Sequence, residues 1–572
     1  MDNPKRASWS GQMAFVLAAA ASAIGLGNLW RFPYLAAQYG GGTFILIYLL
    51  LVVTLGFTLM TTEIAIGRMT QQSQLTAYSK LHSGWGFIGL LVTVIPVLIV
   101  PYYCVIGGWV IKYFTAYFKM VTTGANPFLN EAGEMATGAY FGNFISANFA
   151  PFGYGMLFIL ICALVIVLGV KNGIEKSNAV LMPLLFFFAI GISIYVCCLP
   201  GAGAGIKYYL VPNMDALSGP DGSFSLAQLG RTILGAMGQM FYSLSLAMGI
   251  MITYGSYMRK EDSIERSVRR IEIFDTLIAL IAGLMIIPAV YIFASKNPLP
   301  VTPAELEQAG GRSEITKSYV EKNIETATFS QDKLAELSQK YKTAPTDEAV
   351  REKLLEDWKN QPVTIAQLKE AAGGATEGDL AVNLARGSQI SLKKSMQGGT
   401  GLMFKTLPSV FADFGRVGSW VGMIFFLLVI FAALTSAISL YEACVASVCD
   451  LLNMKRRNAT FFMFFVIAFL AAFSALGYGP WAKVTLFKMQ FLDFFDFITN
   501  SALMPIVAAA TCFFIGWVLK PKAIEDEILL GEKRFVSAGL YNVMVKYIAP
   551  ILIIAILVSE VCRALNIGGW KI

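Results

Sequence analysis

Apolar runs of about twenty residues recur along the chain, separated by short polar stretches. A helix rising ~1.5 Å per residue needs ~20 such residues to cross a bilayer core. Eleven segments qualify, at roughly 12–36, 42–70, 86–119, 150–170, 176–199, 228–257, 269–295, 418–450, 458–478, 489–519 and 541–566. The pattern predicts an all-α polytopic membrane protein. One stretch interrupts it. Residues 296–405 are polar and carry fifteen basic and fifteen acidic residues. Leu334 and Leu337, three apart, suggest an amphipathic helix over 330–340, and Ala371 to Gly378 reads as a Gly/Ala-rich loop. The chain thus divides into 1–295 with spans one to seven, a polar insertion at 296–405, and 406–572 with spans eight to eleven. The insertion reads as an elaborated loop, and trimming 310–395 is expected to spare whatever site the membrane spans form.

Composition narrows the function. Of 572 residues, 56% are apolar and 14% charged, against about 25% charged in soluble domains. A soluble enzyme and a disordered chain are excluded. His82 is the single histidine, which leaves no His-based metal site or nucleophile relay. The eight cysteines form no CxxC pair and sit mostly in apolar runs, as small buried hydrophobes. No catalytic constellation is visible, so the chain is expected not to be an enzyme. The net charge of +7 is modest. The expected environment is a lipid bilayer, with no nucleic-acid partner. Lys5 and Arg6 precede the first run, but that run is too long for a signal peptide and a second span follows at once. In the short loops and helix ends, with the 296–405 insertion left out, Lys and Arg are twice as frequent on the side that holds the N-terminus. The positive-inside rule therefore predicts a multi-pass protein of the plasma (inner) membrane with a cytoplasmic N-terminus. Eleven spans then place the C-terminus and the insertion outside.

Polar residues inside spans point to a site. The first span contains Ala21-Ser-Ala-Ile-Gly-Leu-Gly-Asn-Leu-Trp-Arg-Phe-Pro33, and the sixth contains Gly238-Gln-Met-Phe-Tyr-Ser-Leu-Ser-Leu-Ala-Met-Gly249. Neither supports a continuous helix. Broken helices at membrane depth expose N–H and C=O groups, which are tolerated only where they line a site. Two breaks five spans apart fit a 5+5 inverted-repeat transporter, with a first repeat at 12–199 and a second beginning at 228. Sodium-coupled symporters are themselves the reference case for that rule.

These strings, with Gly40-Gly-Gly42 and Ala432-Ala-Leu-Thr-Ser436, resemble the signatures of the neurotransmitter:sodium symporter family, bacterial amino-acid transporter type. The resemblance covers all spans. The insertion has no counterpart in the compact bacterial members, and the family's usual twelfth span is absent, as in some of them. The resemblance implies two sodium ions, hard cations that take oxygen ligands. One would use the carbonyls of Ala23 and Ser243 with the side chains of Asn28, Ser243 and Asp275. The other would use the carbonyls of Ala21, Ile24 and Ala432 with the hydroxyls of Thr435 and Ser436. An L-amino acid would bind between the breaks. Its carboxylate would meet the N–H groups of Leu26 and Gly27 and the Tyr103 hydroxyl. Its ammonium would meet carbonyls at Ala23, Tyr242 and Ser243 and the Ser245 hydroxyl. Gly25 stands where amine transporters of the family carry Asp, which leaves room for a substrate carboxylate. Ser22, Ile99, Tyr103, Tyr242, Met248, Ser436, Ala437 and Leu440 would surround the side chain. No charge lies among them, so a hydrophobic or aromatic substrate is expected.

By the same resemblance Arg31 and Asp496 form an outer ion pair, with Asp493 as the alternative partner. Arg6 and Asp450 form an inner pair beside Ser256 and Tyr257. Gly173 and Pro183 mark either a stretch that unwinds to open an inner exit or an ordinary helix start. Tyr48, Gln239 and Ser243 match three chloride ligands of chloride-dependent relatives. The fourth position is Ala279, and Asp275 stands where those relatives carry Asn, so no chloride requirement is implied. The rival to a symporter is a non-transporting amino-acid receptor that uses the insertion as a docking domain. Transport by a monomer and by a dimer are both compatible with the sequence.

Overall fold

A computed structural model describes residues 7–219, 223–308, 313–327, 329–372 and 379–564. Among them the secondary structure is helical, apart from a few isolated bridges. Nine helices are long and apolar enough to cross a membrane: Gly42–Thr70, Ser83–Thr123, Ala150–Val167, Val170–Cys197, Ile264–Lys296, Gly415–Leu452, Arg456–Leu476, Phe491–Leu519 and Ala538–Glu560. The pair Gln12–Ala23 and Gly27–Gln38, bent by 52°, makes a tenth. The remaining expected span runs as Leu226–Ser243 and Ile250–Gly255. Its second half is a turn and a half, too short to count alone. The all-α polytopic architecture stands.

Both breaks fall at the predicted strings. The first helix stops at Ala23, and Ile24 takes an extended conformation. Pro33 lies inside the helical stretch Gly27–Gln38, directly after its wide π-helical turn at Gly27–Arg31, where an irregular hydrogen-bond ladder accommodates the missing N–H. In the sixth span Ser245, Ala247 and Gly249 all have positive φ. Non-glycine residues there are strained by ~1–3 kcal/mol each, and such strain concentrates at functional sites. The short half of this span is pinned by close backbone packing. A Cβ on Gly67 would lie 1.9 Å from the Ile252 carbonyl, and one on Gly255 would lie 2.4 Å from that of Ile64. Small residues allow this approach, which dispersion and packing then reward. Span five stays helical from Val170 to Cys197, straight through Gly173 and Pro183.

The insertion is not a simple loop. Helices Pro303–Gln308, Ser313–Thr326, Gln331–Tyr341, Asp347–Glu356, Ile365–Ala372 and Asp379–Ser395 enclose a separate core that includes Val301, Val320, Leu334, Leu337, Val350 and Leu354. Within the expected loop at 371–378, residues 371 and 372 finish a helix, and 373–378 lie outside the described residues. The last helix is tied to the bundle. Gln38 Nε2 donates to the Lys393 carbonyl at 3.0 Å, and within the insertion Ser391 Oγ accepts from Leu299 N at 2.7 Å.

Candidate functional site

The two breaks meet in the middle of the bundle. Ser245 Oγ and Ser436 Oγ both donate to the Ser22 carbonyl, at 3.1 and 2.9 Å. Beside them lies a fully buried carboxylate, Asp275. It accepts hydrogen bonds from Asn28 Nδ2 at 2.7 Å, from Ser243 Oγ at 2.9 Å to both oxygens, and from Tyr48 OH at 3.3 Å. Among the described residues no Lys or Arg is ion-paired with Asp275. A negative charge at this depth needs a cation or a proton. Three of the side chains assigned to the first sodium therefore converge on one point. Gln239 is buried alongside, its Nε2 on the Gly27 carbonyl at 3.3 Å and its Oε1 without a partner.

The second set also gathers. Thr435 Oγ1 donates to the Ala432 carbonyl at 3.0 Å, and Ser436 Oγ lies 3.4 Å from that of Ile24. Ala21 is buried on the same helix without a side-chain ligand to offer. Hydroxyls and carbonyls in this arrangement suit a monovalent hard cation.

Between the sets is a cavity of about 20 Å³, lined by Ser22, Ala23, Gly25, Gly27, Asn28, Ile99, Tyr103, Tyr242, Ser245, Met248, Ile250, Ser436 and Leu440. Its walls must part to admit an amino acid. Leu26 does not line it, but its N–H points to Tyr103 OH at 3.2 Å. Ala437 does not line it either. With Ser436 and Leu440 facing inward four residues apart, Ala437 sits ~100° round the helix. Ile250, which the sequence reading did not include, takes a place in the wall.

The outer pair differs from expectation. Among the described residues no ion pair joins Arg31 to Asp496 or Asp493. Arg31 stands over the Tyr242 ring at 5.6 Å, Asp496 accepts from Asn500 Nδ2 at 2.7 Å, and Asp493 accepts from Tyr478 OH at 2.9 Å. All three charged residues face a larger cavity of about 1080 Å³, and Glu305, Lys393 and Lys405 of the insertion form part of its wall.

At the other end Arg6 lies outside the described residues. Asp450 accepts from Ser73 N at 2.6 Å. Ser256 Oγ turns back to the Thr253 carbonyl. Tyr257 OH instead donates to Glu442 Oε1 at 2.8 Å, and Arg456 grips both oxygens of Glu442, at 2.8 and 2.5 Å. Trp9 completes this contact, its N and Nε1 donating to the carbonyls of Tyr257 and Tyr254. Sequence reasoning missed Glu442. The available signal was an acid inside a span.

It missed Glu63 for the same reason. Glu63 is buried in span two and accepts from Ala247 N at 2.6 Å, holding the strained turn of the sixth-span break. Glu63→Ala leaves that N–H unpaired at membrane depth, which costs ~1–3 kcal/mol. The expected result is a lower thermal midpoint in detergent and weakened sodium-dependent binding. An unchanged midpoint would show that the break does not rely on this acid.

Three comparisons bear on this geometry. The family model described as Sodium:neurotransmitter symporter family matches residues 6–129 and 152–569. The chain is 28% identical over 566 residues to the uncharacterized sodium-dependent transporter YhdH of Bacillus subtilis (strain 168), covering 98% of each. It is 23% identical over 579 residues to the sodium-dependent neutral amino acid transporter B(0)AT2 of Pongo abelii, covering 97% of this chain and 73% of that one. The structure resembles the crystal structure of MhsT in complex with L-phenylalanine, with TM-score 0.69, 29% identity, and coverage of 97% of this chain and 100% of that one.

Proposed function

Because the chain belongs to the sodium:neurotransmitter symporter family, whose members are transporters and not enzymes, we propose that it imports a hydrophobic or aromatic L-amino acid together with two sodium ions by alternating access. The observation that carries this reading is the unpaired, fully buried Asp275 carboxylate with its three donors, set beside two broken helices and an uncharged pocket. The first sodium sits against Asp275, Asn28 and Ser243. The substrate carboxylate lies against it and the N–H groups near Gly25 to Gly27. Ile99, Met248, Ile250 and Leu440 take the side chain. A charged side chain there would be buried unpaired, at a cost of several kcal/mol. Met248 is pliable enough to serve more than one size. The neutral amino acid transporter among the relatives and the L-phenylalanine bound in MhsT support this class.

The N-terminus is cytoplasmic and the insertion external in this reading. The 1080 Å³ cavity is then the outer vestibule, and the Trp9–Tyr257–Glu442–Arg456 contact closes the inner side. Spans 1, 2, 6 and 7 rock against the others. Sodium and substrate together favour release of the inner contact, which is linkage between sites rather than covalent chemistry.

The test is uptake in proteoliposomes with an imposed sodium gradient. Leu, Met, Phe, Tyr or Trp should accumulate and compete with one another, and Lys, Arg, Asp and Glu should not. Binding without accumulation would make the protein a receptor. Preferential uptake of a charged amino acid would reject the substrate class.

Tyr257→Phe removes only the hydroxyl that reaches Glu442, a bond worth ~0.5–1.5 kcal/mol, or somewhat more to a charged acceptor. Sodium-independent efflux should rise about three- to tenfold. Efflux equal to that of the unaltered protein would show that the latch lies elsewhere. Deleting 310–372 while keeping the docked 379–395 helix should leave sodium-dependent binding intact, since none of the deleted residues lines the vestibule. Extending the deletion to 395 removes Gln389, Ile390 and Lys393 from that wall and should alter binding kinetics.

A further inference from the structure

The connector between spans ten and eleven, residues 520–537, is fastened to the opposite body from the one that holds span ten. Upstream, span ten packs on the segment between spans two and three. Tyr78 OH and Thr511 Oγ1 lie 2.8 Å apart, and Trp85 meets the rings of Phe513 and Phe514 at 5.9 and 5.3 Å. That segment is in turn bonded to span eight, through Ser73 N on Asp450 and Gln74 Nε2 on the Ala443 carbonyl at 3.0 Å, while the Gln74 Oε1 accepts from Thr253 Oγ1 of span six.

Downstream, Asn542 Nδ2 of span eleven donates to Glu525 Oε1 at 2.6 Å, and the buried charged ties go to span two, to the turn between spans six and seven, and to the start of span seven. Arg68, fully buried at the end of span two, donates to Glu527 Oε1 at 2.8 Å, to the Glu527 carbonyl, and to the Asp262 carbonyl at 2.6 Å. Lys260 reaches the same carboxylate at 2.8 Å. Glu532 accepts from Ser263 Oγ and from Glu265 N at 2.8 Å, capping the start of span seven. Glu265 answers by accepting from Val536 N at 2.9 Å and Ser537 Oγ at 2.7 Å. A Cβ on Gly531 would lie 2.4 Å from the Asp262 carbonyl, so the backbones touch. Just beyond, Tyr541 OH and Thr62 Oγ1 are 2.8 Å apart. Breaking a buried, hydrogen-bonded charge pair is among the costlier changes a protein can make, so these ties are the ones that persist when the bodies move.

The junction between the two attachments is built to bend. Phe514–Leu519 forms a wide π-helical turn. Lys520 follows at φ 68°, ψ 140°, and Pro521 then starts a new helix. π-Helical turns mark functional irregularities in helices, and a non-glycine residue at positive φ is strained.

We propose that the 521–541 segment travels with the rocking bundle of spans 1, 2, 6 and 7, and that the chain flexes at 514–520 in each transport cycle. This rests on the rocking mechanism given above. The test places spin labels through unnatural amino acids, orthogonal to the native cysteines, at exposed Leu530, Arg270 at the start of span seven, and Arg457 at the start of span nine. Distances are measured in the full-length protein with sodium plus amino acid and with neither. The Arg270–Arg457 distance should change, Leu530–Arg457 should change with it, and Leu530–Arg270 should stay within the spread of the labels. A fixed Leu530–Arg457 with a changing Leu530–Arg270 would place the connector on the scaffold and overturn the proposal. A fixed Arg270–Arg457 would remove the rocking itself, and the proposal with it. Glu527→Gln supplies a second readout. It weakens the grip on Arg68 and should broaden the Leu530–Arg270 distribution while leaving Arg270–Arg457 centred where it was. An unbroadened distribution in the folded variant would also count against the staple.

Discussion

Asp275→Asn combined with Ala279→Ser should turn a chloride-indifferent transporter into one whose uptake rises with chloride. In the unaltered protein, replacing chloride by gluconate should leave uptake unchanged. The reasoning is charge balance. Asn28, Ser243 and Tyr48 hold the Asp275 carboxylate in place, and a sodium ion beside it would be neutralised by that charge. An amide at 275 keeps an oxygen ligand but loses the charge, and unbalanced charge is expensive where water is absent. A charge-assisted bond is worth ~1.5–3 kcal/mol, so the single Asp275→Asn change should cut uptake in gluconate by about ten- to a hundredfold. The room for a replacement anion already exists. Tyr48 OH and Ser243 Oγ would be freed as donors, Gln239 is adjacent, and Ala279 is fully buried one turn along the helix. A serine there adds the missing donor. If the double variant stays as indifferent to chloride as the parent, Asp275 is not standing in for an anion.

Gly25→Ala should abolish most high-affinity substrate binding while leaving the fold intact. A Cβ at this position would lie 2.6 Å from Ser436 Oγ and 3.0 Å from Tyr103 OH. Both hydroxyls can turn aside, so the empty protein tolerates the methyl. The substrate carboxylate cannot, because it needs the same volume and the same Tyr103 hydroxyl. Overpacking of this size costs ~1–3 kcal/mol, which weakens apparent affinity about ten- to a hundredfold. Scintillation proximity binding at saturating sodium measures it. Sodium-induced thermal stabilisation should survive in the same variant, which separates a blocked substrate site from a broken ion site. Affinity within a factor of two of the parent would mean that the carboxylate lies elsewhere.

The spans were readable because membrane helices report themselves through composition over about twenty residues. The breaks were readable because Gly, Asn, Ser and Pro crowded at mid-span have no place in a continuous helix. What could not be read was mostly non-local. Glu63 and Ala247 are 184 positions apart, and only the fold reveals that one steadies the other. Arg456 looked like a positive-inside charge until span eight brought Glu442 to it. Asp493 and Asp496 are three residues apart on one helix, so the sequence alone could not say which faces Arg31. In the structure Tyr478 OH occupies Asp493 and Asn500 Nδ2 occupies Asp496. Within the insertion, Leu334 and Leu337 revealed the helix Gln331–Tyr341, but the shared core was not legible because it pairs residues across several short, polar helices.

Tyr242 lines both the vestibule and the inner cavity, so a single ring is the partition between them. Turning one side chain takes picoseconds to nanoseconds where it is free and longer where it is packed, whereas moving four helices as a body takes microseconds to milliseconds. Arrival at the pocket and passage across the bilayer therefore run on separate clocks. If the turn of Tyr242 and the small parting of the walls around it are fast, a substrate would enter and leave many times for each one delivered. Half-saturation measured by rapid mixing then reports true equilibrium occupancy, and the turnover number reports only the helices.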